Sequence, residues 1–185
     1  MDGVVLANNY VQPLCTPSRS ALLTGFYPIH TGTQHSSFRS ADPVGLDPDL
    51  KLLPEYLKDL GYSTHIVGKT SDLATRNAGS LAELDNAVGA IVESLYKTGL
   101  LNNTVIAFST DNGGAPVGFS RNTSPNWPLR GSKGTVAEGG VRGPGFLWTP
   151  WLATRTKATR QLFHITDWLP SFYAAAGGRH SYSAV

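Results

Sequence analysis

The strongest structural signal in this chain is a helix pattern followed directly by a strand pattern, across residues 81–109. Apolar residues recur every three or four positions, at Leu81, Leu84, Val88, Ile91 and Leu95. This spacing predicts an amphipathic helix, with Ser80 able to cap its start and Gly99 placed where a helix usually ends. Residues 104–109 then form a short, β-branched apolar run that stops abruptly at polar residues and glycine, as a buried strand does.

The same order of helix and strand occurs earlier in the chain. The stretch LLPEYLKDLG predicts a short helix closed by Gly61, and the following YSTHIVG predicts a strand at residues 63–67. A third strand is expected within VRGPGFLWTP. The stretch TDWLPSFYAAAGG predicts a helix, with Thr166 or Asp167 near its N-cap.

Repeated helix and strand units predict an α/β fold, with a mostly parallel sheet flanked by helices. We expect the strands at residues 63–67 and 104–109 to be neighbours in that sheet. The helix at residues 81–97 should pack on one of its faces, because right-handed crossovers place helices there. Long loops remain at residues 36–49 and 115–141, and such loops in a compact domain are usually functional or disordered.

Composition excludes several classes of function. A chain of 185 residues with 41% hydrophobic content is long enough for one domain with a core, and no apolar run is long enough to cross a membrane. The net charge is only +2, with Lys and Arg scattered, so no nucleic-acid partner is indicated. One cysteine forms no internal disulfide. The opening MDGVVLANNY does not resemble a signal peptide, so the chain is expected to be cytosolic or to lack its true beginning.

The only cysteine, Cys15, lies in the stretch CTPSRSALLTG. Thr16 is a good N-cap residue, Pro17 suits the first helical position, and Gly25 is placed to end the helix. Cys15 is therefore expected at the positive end of a helix, where unpaired N–H groups, the helix dipole and Arg19 favour an anion. An arbitrary cysteine is more often buried and structural. The polar surroundings of this one favour a reactive or anion-binding site.

Two further segments contain candidate site residues. Asp111 and Asn112 in STDNGG follow a predicted core strand, and ligands of open α/β sheets bind beyond the carboxyl ends of strands. A carboxylate beside an amide oxygen suits Ca²⁺ or Mg²⁺ better than zinc, although the same residues also form common turns. Lys133 lies in a glycine-rich loop from which it could reach an anion at the Cys15 helix. A single loop lysine is usually just solvated.

These segments together resemble the sulfatase family, in particular its arylsulfatase B-like branch within the alkaline-phosphatase-like superfamily. CTPSRSALLTG matches the family's C-x-P-S-R signature and its Leu-Thr-Gly ending. The stretches LLPEYLKDLGYSTHIVGK, NNTVIAFSTDNGG and NWPLRGSKGTVAEGGVRGPGF are similar to that branch in the same order. The resemblance covers most of the chain.

The resemblance implies a catalytic role for four residues. Cys15 would be oxidised by the formylglycine-generating enzyme to formylglycine, whose hydrate attacks sulfur with one oxygen and later expels sulfate with the other. Arg19 would hold the modified side chain, Lys69 would support the nucleophile, and Lys133 would contact the sulfate. Cationic side chains and a divalent cation are also what a transferring sulfuryl group needs as charge develops.

The resemblance also implies a Ca²⁺ ion bound by Asp111, Asn112 and the modified Cys15. The substrate would be a sulfate ester, either an aryl sulfate or a sulfated glycan, and the location lysosomal or secretory. Asn102 in NNT and Asn122 in NTS match the N-x-[ST] acceptor pattern for glycosylation.

The chain departs from the family pattern at several places. The strand with paired aspartates that supplies further Ca²⁺ ligands, a central segment with an active-site histidine and the C-terminal domain are expected to be absent. VGK is followed by TSDLATRNAGS, where the family has Trp-His-Leu-Gly. His65 and His164 are expected on or beside strands, and His30 and His35 in loops, so none takes over the role of a missing histidine. Residues 1–185 are thus expected to form an incomplete, partial sulfatase catalytic domain.

Three hypotheses follow for the function. The first is a Ca²⁺-dependent sulfuric ester hydrolase, and the second is a catalytically inactive sulfatase-like remnant or isoform. The third is an unrelated cysteine-dependent hydrolase, which would need a nearby histidine as general base. The first two require one set of side chains to converge on a single crevice. That set is Cys15, Arg19, Lys69, Asp111, Asn112 and Lys133.

Overall fold

The computed structural model describes residues 3–38, 42–68, 77–115, 124–153 and 158–179. Its centre is a four-stranded sheet whose strands lie in the order β2, β3, β1, β4. The strands are β1 (Val4–Tyr10), β2 (Ile106–Ser109), β3 (Gly145–Trp148) and β4 (Ala158–His164). β1 is parallel to β4 and antiparallel to β3, and β3 is antiparallel to β2. The α/β fold is confirmed. The sheet itself is mixed, because β3 runs against the other three strands.

Six α-helices accompany the sheet in the described part of the chain. They are α1 (Cys15–Thr24), α2 (Pro28–Thr31), α3 (Leu53–Asp59), α4 (Asn77–Lys97), α5 (Glu138–Val141) and α6 (Trp168–Ala175). Single 3₁₀ turns precede β2 at Leu101–Asn103 and α6 at Ile165–Asp167. Over the same described ranges, no helix combines the length and the apolar character needed to span a membrane.

The strand predicted at residues 63–67 is wrong. This segment has no regular secondary structure, and Ile66 is 81% exposed. Its β-branched residues favour an extended backbone, but a strand also requires a partner, and β2, the expected neighbour, pairs with β3 alone among the described residues. β1 and β4 themselves were not predicted.

The helix predicted at residues 81–97 is confirmed as α4, which begins earlier, at Asn77, and ends before Gly99. Ser80 therefore lies inside the helix rather than at its start. The structure does not confirm the expected packing on the sheet, because in the described residues α4 has its main contacts with the 3₁₀ turn Leu101–Asn103, and Val88, Ile91 and Leu95 are only half-buried. The predicted strand in VRGPGFLWTP is confirmed as β3.

The main core lies between one face of the sheet, α1 and the start of α6. Its buried members are Leu6, Val11, Ala21, Ile165 and Trp168. The ring of Trp168 packs edge-on against Phe163 and is stacked with Phe172. Removing such a buried aromatic side chain typically costs about 3–5 kcal/mol, so this cluster fixes α1 against the sheet.

The direction of the strands decides where the polar segments meet. β1 and β2 run the same way, so the chain leaves both at the same edge of the sheet. β1 leads to α1 and Cys15, and β2 leads to Asp111 and Asn112. β3 runs in the opposite direction, so α5 and the loop before it enter the sheet at that edge too.

Candidate active site

Cys15 is the first residue of α1 rather than the residue before its cap. The N-cap is Leu14, which has an extended backbone, and the first helical bond runs from the Ser18 N–H to the Leu14 carbonyl over 3.2 Å. The predicted cap at Thr16 is wrong, because the Thr16 hydroxyl instead accepts a hydrogen bond from the Phe38 N–H. Gly25 ends the helix in a left-handed conformation, as predicted. Cys15 still lies at the positive end of the helix.

The Cys15 thiol lies between an ammonium and an amide oxygen. The Nζ atom of Lys133 donates to Sγ over 3.1 Å, and Sγ donates to Oδ1 of Asn112 over 3.1 Å. Cys15 is only 8% exposed. A polar, partly charged environment around a nearly buried sulfur is typical of a functional cysteine rather than a structural one.

Arg19 and Asp111 form an ion pair beside the thiol. Nε and one terminal nitrogen of the guanidinium both donate to Oδ2 of Asp111, over 3.1 and 3.0 Å. The side chains are 47% and 26% exposed, so water screens the pair and its net contribution to stability is small. Its position links α1 to the end of β2.

The loop carrying Lys133 is fixed by its own main chain. The Lys133 N–H donates to the Gly114 carbonyl over 3.0 Å, and the Gly134 N–H donates to the Pro13 carbonyl over 2.9 Å. Gly134 has φ 86°, a left-handed conformation that favours glycine. These bonds join the Lys133 loop to the segment before Cys15 and to the segment after Asn112.

The glycines of this region allow two backbones to approach closely. The Gly113 N–H donates to the Gly140 carbonyl over 2.9 Å. A Cβ atom at position 113 would lie 1.8 Å from the Gly139 carbonyl oxygen, which is backbone and has little room to move. Glycine at position 113 is therefore required for the Asp111–Asn112 turn to rest on α5.

A small polar network holds α5 against β1. The Tyr10 hydroxyl donates to Oε1 of Glu138 over 2.7 Å, and Arg142 donates to Oε2 over 3.1 Å. The hydrogen bond to Glu138 raises the pKa of Tyr10, and the same bond lowers the pKa of Glu138. Sequence reasoning missed this network because its members have no common motif.

The geometry agrees with what the comparisons with known proteins find. The family model named Sulfatase matches the chain in two segments, at residues 1–79 and 71–178. The chain belongs to the sulfatase family. Mouse (Mus musculus) arylsulfatase J is 31% identical over 287 aligned positions, covering 96% of this chain and 47% of the relative. Human (Homo sapiens) N-acetylgalactosamine-6-sulfatase is 24% identical, covering 95% of this chain and 56% of the relative.

Solved structures of sulfatases share the fold. The crystal structure of the PsFucS1 sulfatase from Pseudoalteromonas sp. matches with a TM-score of 0.77 and 17% identity, covering 96% of this chain and 60% of that one. Such low identity supports the fold alone. The chain spans about half the length of the curated sulfatases it matches.

The predicted Ca²⁺ ligands of this sulfatase meet, but they do not form a complete metal site. Asp111 and Asn112 offer the hard oxygen atoms that Ca²⁺ prefers, and Cys15 contacts Asn112. However, Asp111 is paired with Arg19, and no group of three or more His, Cys, Asp or Glu side chains suited to a metal occurs in the described part of the chain. Ca²⁺ takes about six to eight oxygen ligands, so these donors alone do not fit it.

The remaining predicted residues are accounted for as follows. Lys69 lies outside the described residues. His164 ends β4 as expected beside a strand, whereas His65 lies in the exposed segment that is not a strand. His35 lies in a loop, and His30 lies in the short helix α2. In the described ranges, none of these four histidines forms a hydrogen bond with Cys15.

Sequence reasoning also missed Asn9, which is fully buried in β1. Its Nδ2 donates to Oγ of Ser109 over 3.1 Å and to the Gly143 carbonyl over 3.3 Å. A Cβ atom at Gly145 would lie 2.8 Å from this side chain, so a glycine makes room for it. Asn9 thus joins β1 to the end of β2, where the Asp111 turn begins. An asparagine within an apolar strand was the available signal.

Proposed function

We propose that this chain carries the nucleophile and sulfate-holding part of a sulfuric ester hydrolase of the arylsulfatase type. The observation that carries the proposal is the position of Cys15, at the first residue of α1 and within 3.1 Å of both Lys133 and Asn112. The Lys133 ammonium and the positive end of α1 therefore lie beside the place where negative charge would develop on a sulfate group during sulfuryl transfer. Membership of the sulfatase family supports the same reaction class.

The residues divide the work of holding a sulfate ester. The ammonium of Lys133 is placed to bind a sulfate oxygen beside the nucleophile, because it already contacts Sγ. Arg19 lies on α1, the helix that begins at Cys15, and supplies a second cation. Its guanidinium donates two hydrogen bonds to Asp111. Fixed cations in a partly dry site stabilise developing charge without reorganising, which is usually the largest contribution to catalysis.

Cys15 is proposed to be converted to formylglycine by the formylglycine-generating enzyme, as the C-x-P-S-R signature implies. The hydrated aldehyde would supply the hydroxyl that attacks sulfur and the second hydroxyl that later releases sulfate. Asp111 and Asn112 are proposed as two of the Ca²⁺ ligands. No catalytic step is derived through the ion, because these residues alone do not complete its coordination.

A second candidate function is a sulfatase-like protein that binds sulfate esters without turnover. The ion pair between Arg19 and Asp111 favours it, because a carboxylate held by a guanidinium is less available to a metal ion. Both candidates predict anion binding at Lys133. Only the first predicts Ca²⁺ binding that depends on Asp111.

The proposed substrate is an aryl sulfate or a sulfated glycan. Two relatives are named for an arylsulfatase and for a sulfatase of N-acetylgalactosamine 6-sulfate, which are sulfate esters of these two kinds. By the same family argument we propose a lysosomal or secretory location and glycosylation at Asn102, which is exposed.

Mass spectrometry of the Cys15 peptide tests the modification. After co-expression with the formylglycine-generating enzyme, the peptide should lose the mass that separates CH₂–SH from CHO. Calorimetric titration with an aryl sulfate then tests the site. We expect Lys133→Gln to weaken binding by about tenfold or more, as loss of a charged hydrogen bond does, whereas the exposed Lys58→Gln should not. An unmodified thiol together with equal binding by all variants would contradict the proposal.

A further inference from the structure

Residues 12 and 13, directly before the nucleophile helix, are held from three sides. The Gln12 N–H donates to Oγ of Ser18 over 2.8 Å, and the same hydroxyl donates back to the Gln12 carbonyl over 3.2 Å. The Pro13 carbonyl accepts from the Gly134 N–H over 2.9 Å. On the third side, the side-chain amide nitrogen of Gln12 lies 3.0 Å from Nε2 of His164. Two segments distant in sequence, at Gly134 and His164, therefore meet the start of α1 at this short stretch.

The ring of His164 is fixed before it reaches Gln12. Its Nδ1 accepts from the Thr166 N–H over 3.3 Å and lies 2.8 Å from the Thr166 hydroxyl. Tyr27 packs against its face, with ring centroids 5.2 Å apart. The amide nitrogen of Gln12 faces Nε2 on the other side of the ring, so the two side chains form one hydrogen bond whose donor depends on the ring tautomer. The His164 N–H in turn donates to Asp167, which anchors the residue to the turn before α6.

The position of the Pro13 carbonyl matters for the site. This carbonyl holds the Gly134 N–H, and Gly134 is the immediate neighbour of Lys133. Cys15 lies two residues after Pro13, so the hydrogen bond between Pro13 and Gly134 joins the segment of Cys15 to the segment of Lys133. A displacement of residues 12–13 would therefore change the separation between the Lys133 ammonium and the Cys15 sulfur. In the described residues, the side chains of Gln12 and His164 form no hydrogen bond with either group.

We infer that Gln12 and His164 are positioning residues that act through the main chain at Gln12 and Pro13 to set the distance between Cys15 and Lys133. The importance of that pair rests on the proposed function, but the contacts that set its distance do not. Neither residue belongs to the signature CTPSRSALLTG.

A short cross-link between the two groups measures this distance directly. Cys15 is the only cysteine, so an iodoacetyl succinimidyl ester that alkylates it can then acylate Lys133 through a link only one carbonyl and one methylene long. The full, unconverted chain is used, and the cross-linked share of the alkylated Cys15 peptide is measured by mass spectrometry. Circular dichroism establishes the folded fraction of each variant, and Lys133→Gln gives the blank.

The variants test the contact from both sides. Gln12→Met removes the amide, and His164→Phe removes the ring nitrogens while keeping a ring against Tyr27. We expect either change to lower the cross-linked share by about tenfold, since a displacement of about 1 Å can cost a hundredfold in reactivity between positioned groups. Gln12→Glu replaces the amide with a carboxylate to which the ring can donate from Nε2 while Nδ1 still accepts from the Thr166 N–H, so it should retain the cross-link. His35→Phe is a matched control, because Gln34 and His35 make the same kind of contact over 3.0 Å on an exposed loop.

A folded Gln12→Met or His164→Phe variant with the wild-type cross-linked share would overturn the inference. So would a Gln12→Glu variant that loses the cross-link as fully as Gln12→Met. Because the readout uses the unmodified thiol, it does not depend on sulfate binding or hydrolysis. Failure of the proposed function would leave the cross-linking result unchanged.

Discussion

The Nζ atom of Lys133 lies 3.1 Å from the Sγ atom of Cys15, although 118 positions of sequence separate the two residues. The approach is built by backbone rather than by the lysine side chain alone, because residues on either side of the contact are hydrogen-bonded to each other. Because the main chain around Lys133 is held, its flexible side chain loses less conformational entropy when the ammonium contacts Cys15. Main-chain hydrogen bonds therefore hold the Lys133–Cys15 contact in place, although the described residues do not form a complete metal site.

The first prediction concerns turnover. With only Asp111 and Asn112 proposed as Ca²⁺ ligands, and with the histidine of Trp-His-Leu-Gly and that of the central segment both expected to be absent, metal binding and proton transfer should both be weak. A general acid or base typically contributes on the order of a hundredfold or more in rate. We expect the purified chain to hydrolyse an aryl sulfate no faster than Cys15→Ala, even after formylglycine formation and with abundant Ca²⁺. A rate that depends on both Cys15 and Ca²⁺ would contradict this.

The second prediction separates the stability of the Arg19–Asp111 pair from its role at a metal. Asp111→Asn should lower the free energy of unfolding by less than about 1 kcal/mol, because the pair is partly exposed. Asp59→Asn, which breaks the exposed pair with Lys51, is the matched control. Any rise in the urea midpoint caused by Ca²⁺ should disappear in Asp111→Asn and persist in Asp59→Asn. Equal Ca²⁺ effects in both variants would remove Asp111 from the ligand set.

The third prediction concerns two glycines in opposite environments. Gly113→Ala should destabilise the fold by about 1–3 kcal/mol, because the added methyl group meets the Gly139 carbonyl oxygen. Gly89→Ala lies within α4 with no neighbouring atom in the way, and it should stabilise by about 0.5–1 kcal/mol. Urea unfolding measures both changes. Equal effects of the two substitutions would mean that α5 does not pack tightly against the Asp111 turn.

The fourth prediction concerns pH. Burial lowers the pKa of His164 below its ordinary value of 6.5, while the nearby Asp167 carboxylate acts in the opposite direction. The unfolded chain therefore binds more protons than the folded chain between the two pKa values, so stability increases with pH across that window. The contribution is complete above pH 6.5 and is lost as the pH falls through the lower, folded pKa.

Urea unfolding at a series of pH values checks this expectation. The free energy of unfolding should decrease as the pH falls below 6.5, and His164→Phe should flatten that decrease. The lowered pKa of Glu138 acts only below its ordinary value of 4.5, so the two effects occur in different pH ranges. An unchanged slope in His164→Phe would assign the pH dependence to another group.

The fifth prediction concerns glycosylation. Asn102 is exposed in the turn Leu101–Asn103, directly before Thr104, so an acceptor sequence is accessible there. Asn122, the second acceptor, lies outside the described residues. A version expressed with a signal sequence should change mobility on glycosidase treatment, and Asn102→Gln should reduce that change. A mobility that glycosidase leaves unaltered would remove this support for a secretory lineage.

Sequence patterns predicted α4, α6 and β3 because each element has a periodicity or an apolar run of its own. They did not predict β1, whose stretch VVLANNY carries Asn8 and Asn9 in the middle of a strand. Both asparagines satisfy hydrogen bonds with distant segments, at Arg160 and at Ser109, and such partners cannot be read from local sequence. The strand expected at residues 63–67 fails for the converse reason, because local preference alone does not provide a neighbouring strand.

The candidate site was predictable in its members but not in its mutual contacts. The signature around Cys15 and the turn at Asp111 pointed to the same crevice, and the structure brings both together with Lys133. The pairing of Arg19 with Asp111 was not foreseen, because it depends on α1 and the end of β2 meeting at one sheet edge. The supporting residues Asn9, Gln12 and His164 carry no motif, so only their geometry identifies them.

The order of the strands also fixes when the chain can fold. β1 precedes the other described strands in sequence, yet its partners β3 and β4 are the last two of them. β3 and β4 must therefore be synthesised before β1 can pair with them, and until then α1 has no sheet to pack against. Contacts this distant in sequence are slow to form. During that interval the Cys15 thiol is not enclosed by Lys133 and Asn112, so it lies on an open chain rather than in a finished crevice.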